Sequence, residues 1–150
     1  ALAARENGAG ADRGARHHRV ARAGRGVDAL LELSGLTAMA DRPASTLDYG
    51  NQRRLEIARA AALRPDFLLL DEPTSGMSEA ESREMVDHVR RIATAVGAGV
   101  LVIDHDLGFI TSICEHITVL DQGAVLAEGT PDEVQSDPRV IEAYLGTQGA

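Results

Sequence analysis

The 150 residues suffice for one domain with a modest core, and 44% hydrophobic with 25% charged residues is an ordinary balance for a globular chain. The net charge of −8 argues against a general nucleic-acid binder, which carries a basic face. The one cysteine, Cys114, excludes an internal disulfide; no apolar run approaches the roughly 18 residues of a transmembrane helix, and none reads as a signal peptide.

In chain order, residues 1–26 come first as an Arg-, Ala- and Gly-rich segment. Six arginines stand against Glu6 and Asp12, a net of +4, and only Leu2 and Val20 are larger apolar residues. Such a composition offsets little ordering entropy, so this segment is expected to be disordered or loosely helical, with His17 and His18 solvated. Order is expected from Val27. Leu30, Leu31 and Leu33 suggest a short amphipathic helix stopped by Gly35, and Pro43 with Ser45 and Thr46 marks a loop. From Gly50 to Leu63 the pattern is helical, and Pro65 ends it. Phe67 to Leu70 is continuously apolar and reads as a strand buried on both faces. Ser78 and Glu81 form a capping box for a helix with Met85, Val89, Ile92 and Val96 on one face, closed by Gly97 and Gly99. Val100 to Ile103 reads as a second buried strand, Leu107 to Ile113 as a helix, and Ile117 to Leu120 as a third strand. Gln122-Gly123 is a hairpin turn leading to a partner strand over Ala124 to Ala127. Thr130, Pro131 and Glu133 start a helix, and a last one is expected over about Val140 to Leu145. Strands alternating with helices imply an α/β fold: a parallel core sheet with flanking helices and a carboxy-terminal β-hairpin. In such sheets ligands gather at the carboxyl ends of the strands.

Three short segments carry candidate chemistry. Leu68-Leu69-Leu70 runs into Asp71-Glu72-Pro73, and two carboxylates closing an apolar strand suit a nucleotide hydrolase. The first helps hold Mg²⁺ and the second polarises an attacking water. The alternative is a strand entering a polar loop with Glu72 solvated. At the end of the next strand, Asp104-His105-Asp106 presents a histidine that can reach a γ-phosphate or a water; alone it would read as a surface histidine. Leu47, Asp48, Tyr49, Gly50 and Asn51 stand at a helix start, where backbone N–H groups and the helix dipole favour an anion; Asp48 as a simple N-cap is compatible with that.

In this order the three segments resemble the ABC transporter ATP-binding family. Residues 47–52 resemble its signature motif, 67–72 its Walker B strand with the catalytic glutamate, 74–78 its D-loop, and His105 its switch histidine. Gln52 to Ala60 and the tail from Leu120 to Gly146 further resemble the ATP-binding subunits of branched-chain amino-acid importers. The resemblance implies a partial P-loop NTPase domain over 27–150, with 1–26 atypical. It implies Glu72 and His105 as catalytic residues and Asp71 as the metal ligand. Leu47, Asp48, Tyr49, Gly50, Asn51 and Ser78 would face a nucleotide held by a second ATPase subunit. ATP and Mg²⁺ are then the cofactors of a complemented dimer. Transmembrane permease subunits are the partners, no nucleic acid is involved, and the location is cytoplasmic, on the inner face of the cell membrane.

The departures are specific. All fifteen basic residues are arginine, so the chain contains no G-x-x-x-x-G-K-[ST] loop for the triphosphate. The glutamine of the Q-loop and the adenine-stacking aromatic also have no counterpart. The signature carries Asp48 where the family has Ser, and Asn51 where it has Gln. An ionised carboxylate about 4 Å from a phosphate would weaken binding roughly a thousandfold. Ser78 stands where the family often has Asp. The expectation is a truncated importer ATPase that does not bind ATP alone. The alternatives are a degenerate partner that supplies its signature in trans, or an ATPase head of DNA-repair or chromosome type, whose long coiled-coil heptads this chain lacks.

Overall fold

The computed structural model describes residues 2–4 and 23–147, with side chains from Gly26 to Tyr144. The elements in order are β1 (Leu2–Ala4), α1 (Ala23–Leu33), two 3-10 turns (Thr37–Met39 and Ala44–Thr46), α2 (Tyr49–Ala62), β2 (Phe67–Asp71), α3 (Glu79–Val96), β3 (Gly99–Ile103), α4 (Leu107–Ile113), β4 (Ile117–Asp121), β5 (Ala124–Gly129), α5 (Pro131–Ser136) and α6 (Pro138–Thr147). No helix among the described residues is long and apolar enough to cross a membrane. The chain divides into two compact units.

One unit gathers residues 2–4, 69–76 and 99–147 around a sheet in the order β2-β3-β1-β4-β5. The N–H of Glu72 donates to Ile103 O at 2.8 Å, so the carboxyl ends of β2 and β3 lie side by side and the two strands share a direction. Antiparallel pairing of β1 with both β3 and β4 gives those two a common direction as well. The parallel core is therefore β2, β3 and β4, with β1 running against it. The hairpin β4–β5 turns at Gln122 (φ 46°) and Gly123 (φ 80°), two left-handed residues as a tight two-residue turn requires. In the segment expected to be disordered or loosely helical, the first turn of α1 is helical and β1 is a strand where none is expected; His17, His18 and the rest of that segment lie outside the described residues.

In burial the strands differ from the expectation, and β3 leaves Val100 and Leu101 half-buried and Ile103 exposed. β2 alternates instead of being buried on both faces: Leu68 and Leu70 are buried, while Leu69 is 73% exposed. Val102, Ile117, Val119 and Ala127 continue the buried side, over which α4, α5 and α6 place Phe109, Ile110, Val134 and Val140. Ile103, Leu120 and Val125 are exposed with Leu69 on the other side. An apolar run signals a strand, but the run alone cannot say whether a second layer covers it.

The other unit, residues 23–68 and 77–98, packs α1, α2 and α3 together. Ile57, Ala58 and Ala61 of α2 and Met85, Val86, Val89, Ile92 and Ala93 of α3 are buried, so the helical periodicity read from the sequence is the packing face. α3 begins with the Ser78–Glu81 capping box and ends at Gly97 (φ 72°), whose left-handed backbone is cheap only for glycine.

Candidate functional site

In the sheet unit, β2 ends at Asp71 and the chain turns at once. Glu72 has φ 42°, a left-handed backbone that costs a non-glycine residue about 1–3 kcal/mol and that clusters at functional sites. Its N–H is held by Ile103 O, its C=O accepts from Ser75 N at 3.2 Å, and Pro73 and Thr74 behind it are buried. The strained turn thus fixes Glu72 at the carboxyl end of the sheet with its side chain 53% exposed.

The neighbouring strand delivers His105 to the same place. Its Nδ1 lies 3.6 Å from Glu72 Oε1 and 3.6 Å from Asp104 Oδ1. Asp104 is fully buried and bridges the two loops. Its Oδ2 accepts from Thr74 Oγ1 at 2.8 Å, and its Oδ1 accepts from Asp106 N at 3.0 Å. Asp106 caps α4 by accepting from Phe109 N at 3.1 Å. The hydroxyl of Tyr144, on α6, donates to His105 O at 3.2 Å. Glu72 and His105, named separately from the sequence, are therefore brought together. Sequence reasoning placed Thr74 only within the D-loop-like stretch 74–78 and Tyr144 only within the tail, and it gave those two and Asp104 no role of their own. Thr74 reaches Asp104 across 30 residues and Tyr144 reaches His105 across 39, separations over which no local pattern signals a contact.

In the helical unit, Asp48 is the N-cap of α2. Its Oδ1 accepts from Asn51 N at 2.9 Å and its Oδ2 from Asn51 Nδ2 at 2.7 Å. The Asn51 backbone bond first, and the Asn51 side chain second, hold the Asp48 carboxyl below the usual carboxylate range. Protonation of Asp48 is thus opposed, and the carboxylate is turned onto its own helix. Leu47 is buried and its C=O accepts from Gln52 Nε2 at 2.9 Å, while Tyr49 is exposed with Arg53 stacked over its ring at 5.1 Å. Arg53 also pairs with Glu56 at 2.8 Å, and Arg54 pairs with Glu84 of α3, so both arginines serve the helical unit itself. Gly50 stands in the first turn of α2, where its missing Cβ would meet Asp48 Oδ1 at 3.7 Å, an ordinary contact. Ser78 is exposed and serves as the N-cap of α3, donating to Glu81 Oε2 at 2.7 Å. Cys114 is half-buried, and burial pushes its thiol up to about 12, which suits a small apolar residue.

Comparison with known proteins gives a consistent set of likenesses. A family model described as "ABC transporter" matches residues 1–75, and one described as "Branched-chain amino acid ATP-binding cassette transporter" matches residues 124–150. The first match begins at residue 1, so it takes in the segment read from the sequence as atypical. The chain is 46% identical over 116 residues to the high-affinity branched-chain amino acid transport ATP-binding protein BraF of Pseudomonas aeruginosa, covering 77% of this chain and 46% of that one. It is 41% identical over 119 residues to the lipopolysaccharide export system ATP-binding protein LptB of Acidithiobacillus ferridurans, covering 79% and 49%. Among solved structures, the ADP conformation of MJ1267, an ATP-binding cassette of an ABC transporter, superposes with a TM-score of 0.73 at 29% identity over 83% of this chain and 50% of that one. The chain spans about half the length of the curated relatives it matches.

Proposed function

The chain belongs to the ABC transporter family, and on that premise we propose that it is part of the ATP-hydrolysing subunit of a membrane importer for branched-chain amino acids. The observation that carries the reading is the pairing of Glu72 with His105 at 3.6 Å on adjacent strand ends. The tail match and the likeness to BraF support the solute class. The subunit would sit against transmembrane permease partners on the inner face of the membrane and pair with a second ATPase subunit.

The residues fit the expected cofactors unequally. Mg²⁺ takes one or two carboxylates together with phosphate oxygens, and the exposed Asp71 at the end of β2 offers one. A triphosphate fits poorly. The chain has no lysine for a phosphate loop, and the amino end of α2 already holds the carboxylate of Asp48. Were Mg-ATP held by a complementing segment, it would supply the phosphoryl group, and Asp71 would be the carboxylate offered to Mg²⁺. Glu72, held in place by its turn and by Ile103 O, would then orient a water and accept its proton. His105 stands beside Glu72 with Nδ1 toward Glu72 and Asp104, and would flank that water. Leu47 to Asn51, with Ser78, would face the partner's nucleotide. The Asp48 cap also favours a second reading, in which the chain is a non-catalytic partner with a weakened signature.

The test mixes the purified chain with a full-length subunit of the BraF type and measures ATP hydrolysis against chain concentration. We expect a chain-dependent rate that Glu72→Gln removes by at least about a hundredfold, the scale of a lost general base. A rate indifferent to the chain overturns the proposal. A chain-dependent rate that survives Glu72→Gln leaves the non-catalytic partner.

A further inference from the structure

We infer that the carboxy-terminal helix α6 controls the histidine loop through Tyr144, whose hydroxyl bond to the His105 carbonyl restrains the main chain from which the imidazole projects. Its catalytic consequence rests on the role proposed above for Glu72 and His105.

The imidazole has little else to hold it. It is 76% exposed, and its two carboxylate contacts are both 3.6 Å, longer than a hydrogen bond. Its position must therefore come from the main chain. On one side Asp104 is locked by Thr74 and by the N–H of Asp106. On the other, Asp106 is locked as the cap of α4. Between them the His105 carbonyl accepts the bond that Tyr144 donates at 3.2 Å. A tyrosine hydroxyl is a suitable donor here. Burial first, then the charges of Asp106 and Asp104, raise its pKa, so it keeps its proton.

The helix is built to deliver that hydroxyl. Val140 is buried in the sheet core, and Tyr144 stands four residues on, hence on the same helical face. Arg139 folds back onto Asp137 and closes the junction between α5 and α6 with a 2.7 Å ion pair. Displacement of α6 would carry Tyr144 off the carbonyl and free the peptide that bears the histidine. Tyr144 lies within residues 124–150, the stretch matched by the branched-chain model, and its reach to His105 offers a function for that stretch. Tyr144 is a positioning residue, acting through His105.

The experiment compares the unsubstituted 150-residue chain with Tyr144→Phe, which keeps the ring and removes only the hydroxyl. Amide hydrogen exchange of Asp106, whose N–H is bonded to Asp104, is followed by NMR with Val102 as reference. We expect Asp106 to exchange about three- to tenfold faster, the worth of one hydrogen bond, with Val102 unchanged. In the ATPase mixture, kcat should fall by a similar factor at unaltered KM. Unchanged Asp106 exchange overturns the tether. Faster exchange with an unaltered kcat in a working mixture overturns the positioning role. A mixture with no chain-dependent rate for the unsubstituted chain overturns the functional reading instead, and the exchange result still decides the tether.

Discussion

At the first turn of a helix, a carboxylate and a phosphate compete for the same N–H groups and the same partial positive charge. In this chain Asp48 occupies that position with both oxygens bonded to Asn51, and those bonds lower its pKa. A lowered carboxylate pKa means that the cap is fully present above the ordinary value of 3.8 and is lost as pH falls through the lower, folded-state value. At neutral pH the amino end of α2 therefore presents a fixed negative charge. Replacing Asp48 by Ser keeps an acceptor for Asn51 N and removes the charge. We expect Asp48→Ser to melt within about 1 °C of the parent and Asp48→Ala to melt about 3 °C lower, as loss of a cap does in a domain of this size. In the ATPase mixture Asp48→Ser should raise the chain-dependent rate at subsaturating ATP by at least about tenfold, a fraction of the Coulomb limit. Equal rates for the parent and the Asp48→Ser variant at every ATP concentration would show that the carboxylate never meets the partner's phosphate.

Among the elements, the pairing of α2 with α3 contains the one fully buried histidine of the described residues. His88 of α3 sets its Nε2 3.3 Å from Arg54 O of α2. Burial is the main cause that lowers its pKa to about 4, and the positive charges of Arg54 and Arg91 add to it. The unfolded chain binds this proton near pH 6.5 while the folded chain resists it to about 4, so folded stability falls as pH drops between those values. The linkage amounts to roughly 2–3 kcal/mol between pH 6.5 and 4.5. Urea unfolding over that range should show the loss in the parent chain and a nearly flat profile in His88→Leu. A parent profile as flat as the variant's would mean that His88 is protonated in place. The helices on either side of this pair were legible in the sequence, because an apolar period, a capping box at Ser78 and a terminal glycine at Gly97 are local signals. So were the hairpin at Gln122-Gly123 and the acidic end of β2. Three features were not. The positive φ of Glu72 depends on a bond to another strand, Asp104 needs Thr74 from a distant loop, and Tyr144 needs the docking of α6. All three are consequences of tertiary contact, which is also why the sequence could name Glu72 and His105 but not what holds them.

For the molecule as a whole, the sheet unit poses the largest unmet demand. Its covered side buries Leu70, Val102, Ile117 and Val119 beneath α4, α5 and α6, while Leu69, Ile103, Leu120 and Val125 remain exposed on the other side. Each such side chain gains about 1.5–3 kcal/mol when fully buried, so four together exceed what isolated surface residues ordinarily leave unsatisfied. The aligned stretch spans only 46% of the relative BraF, which has further chain with which to meet that demand. Left open, the face should bind a hydrophobic dye and draw copies of the chain together. Leu69→Thr with Leu120→Thr tests this, because threonine keeps the preference for a strand and removes apolar area from β2 and β4. The double variant should show weaker dye fluorescence and a smaller weight-average mass in sedimentation, with a melting temperature no lower than the parent's, since neither leucine contributes to the covered core. If dye binding and mass are the same in both chains, the face is already covered in solution, and the aggregation argument fails at its first step.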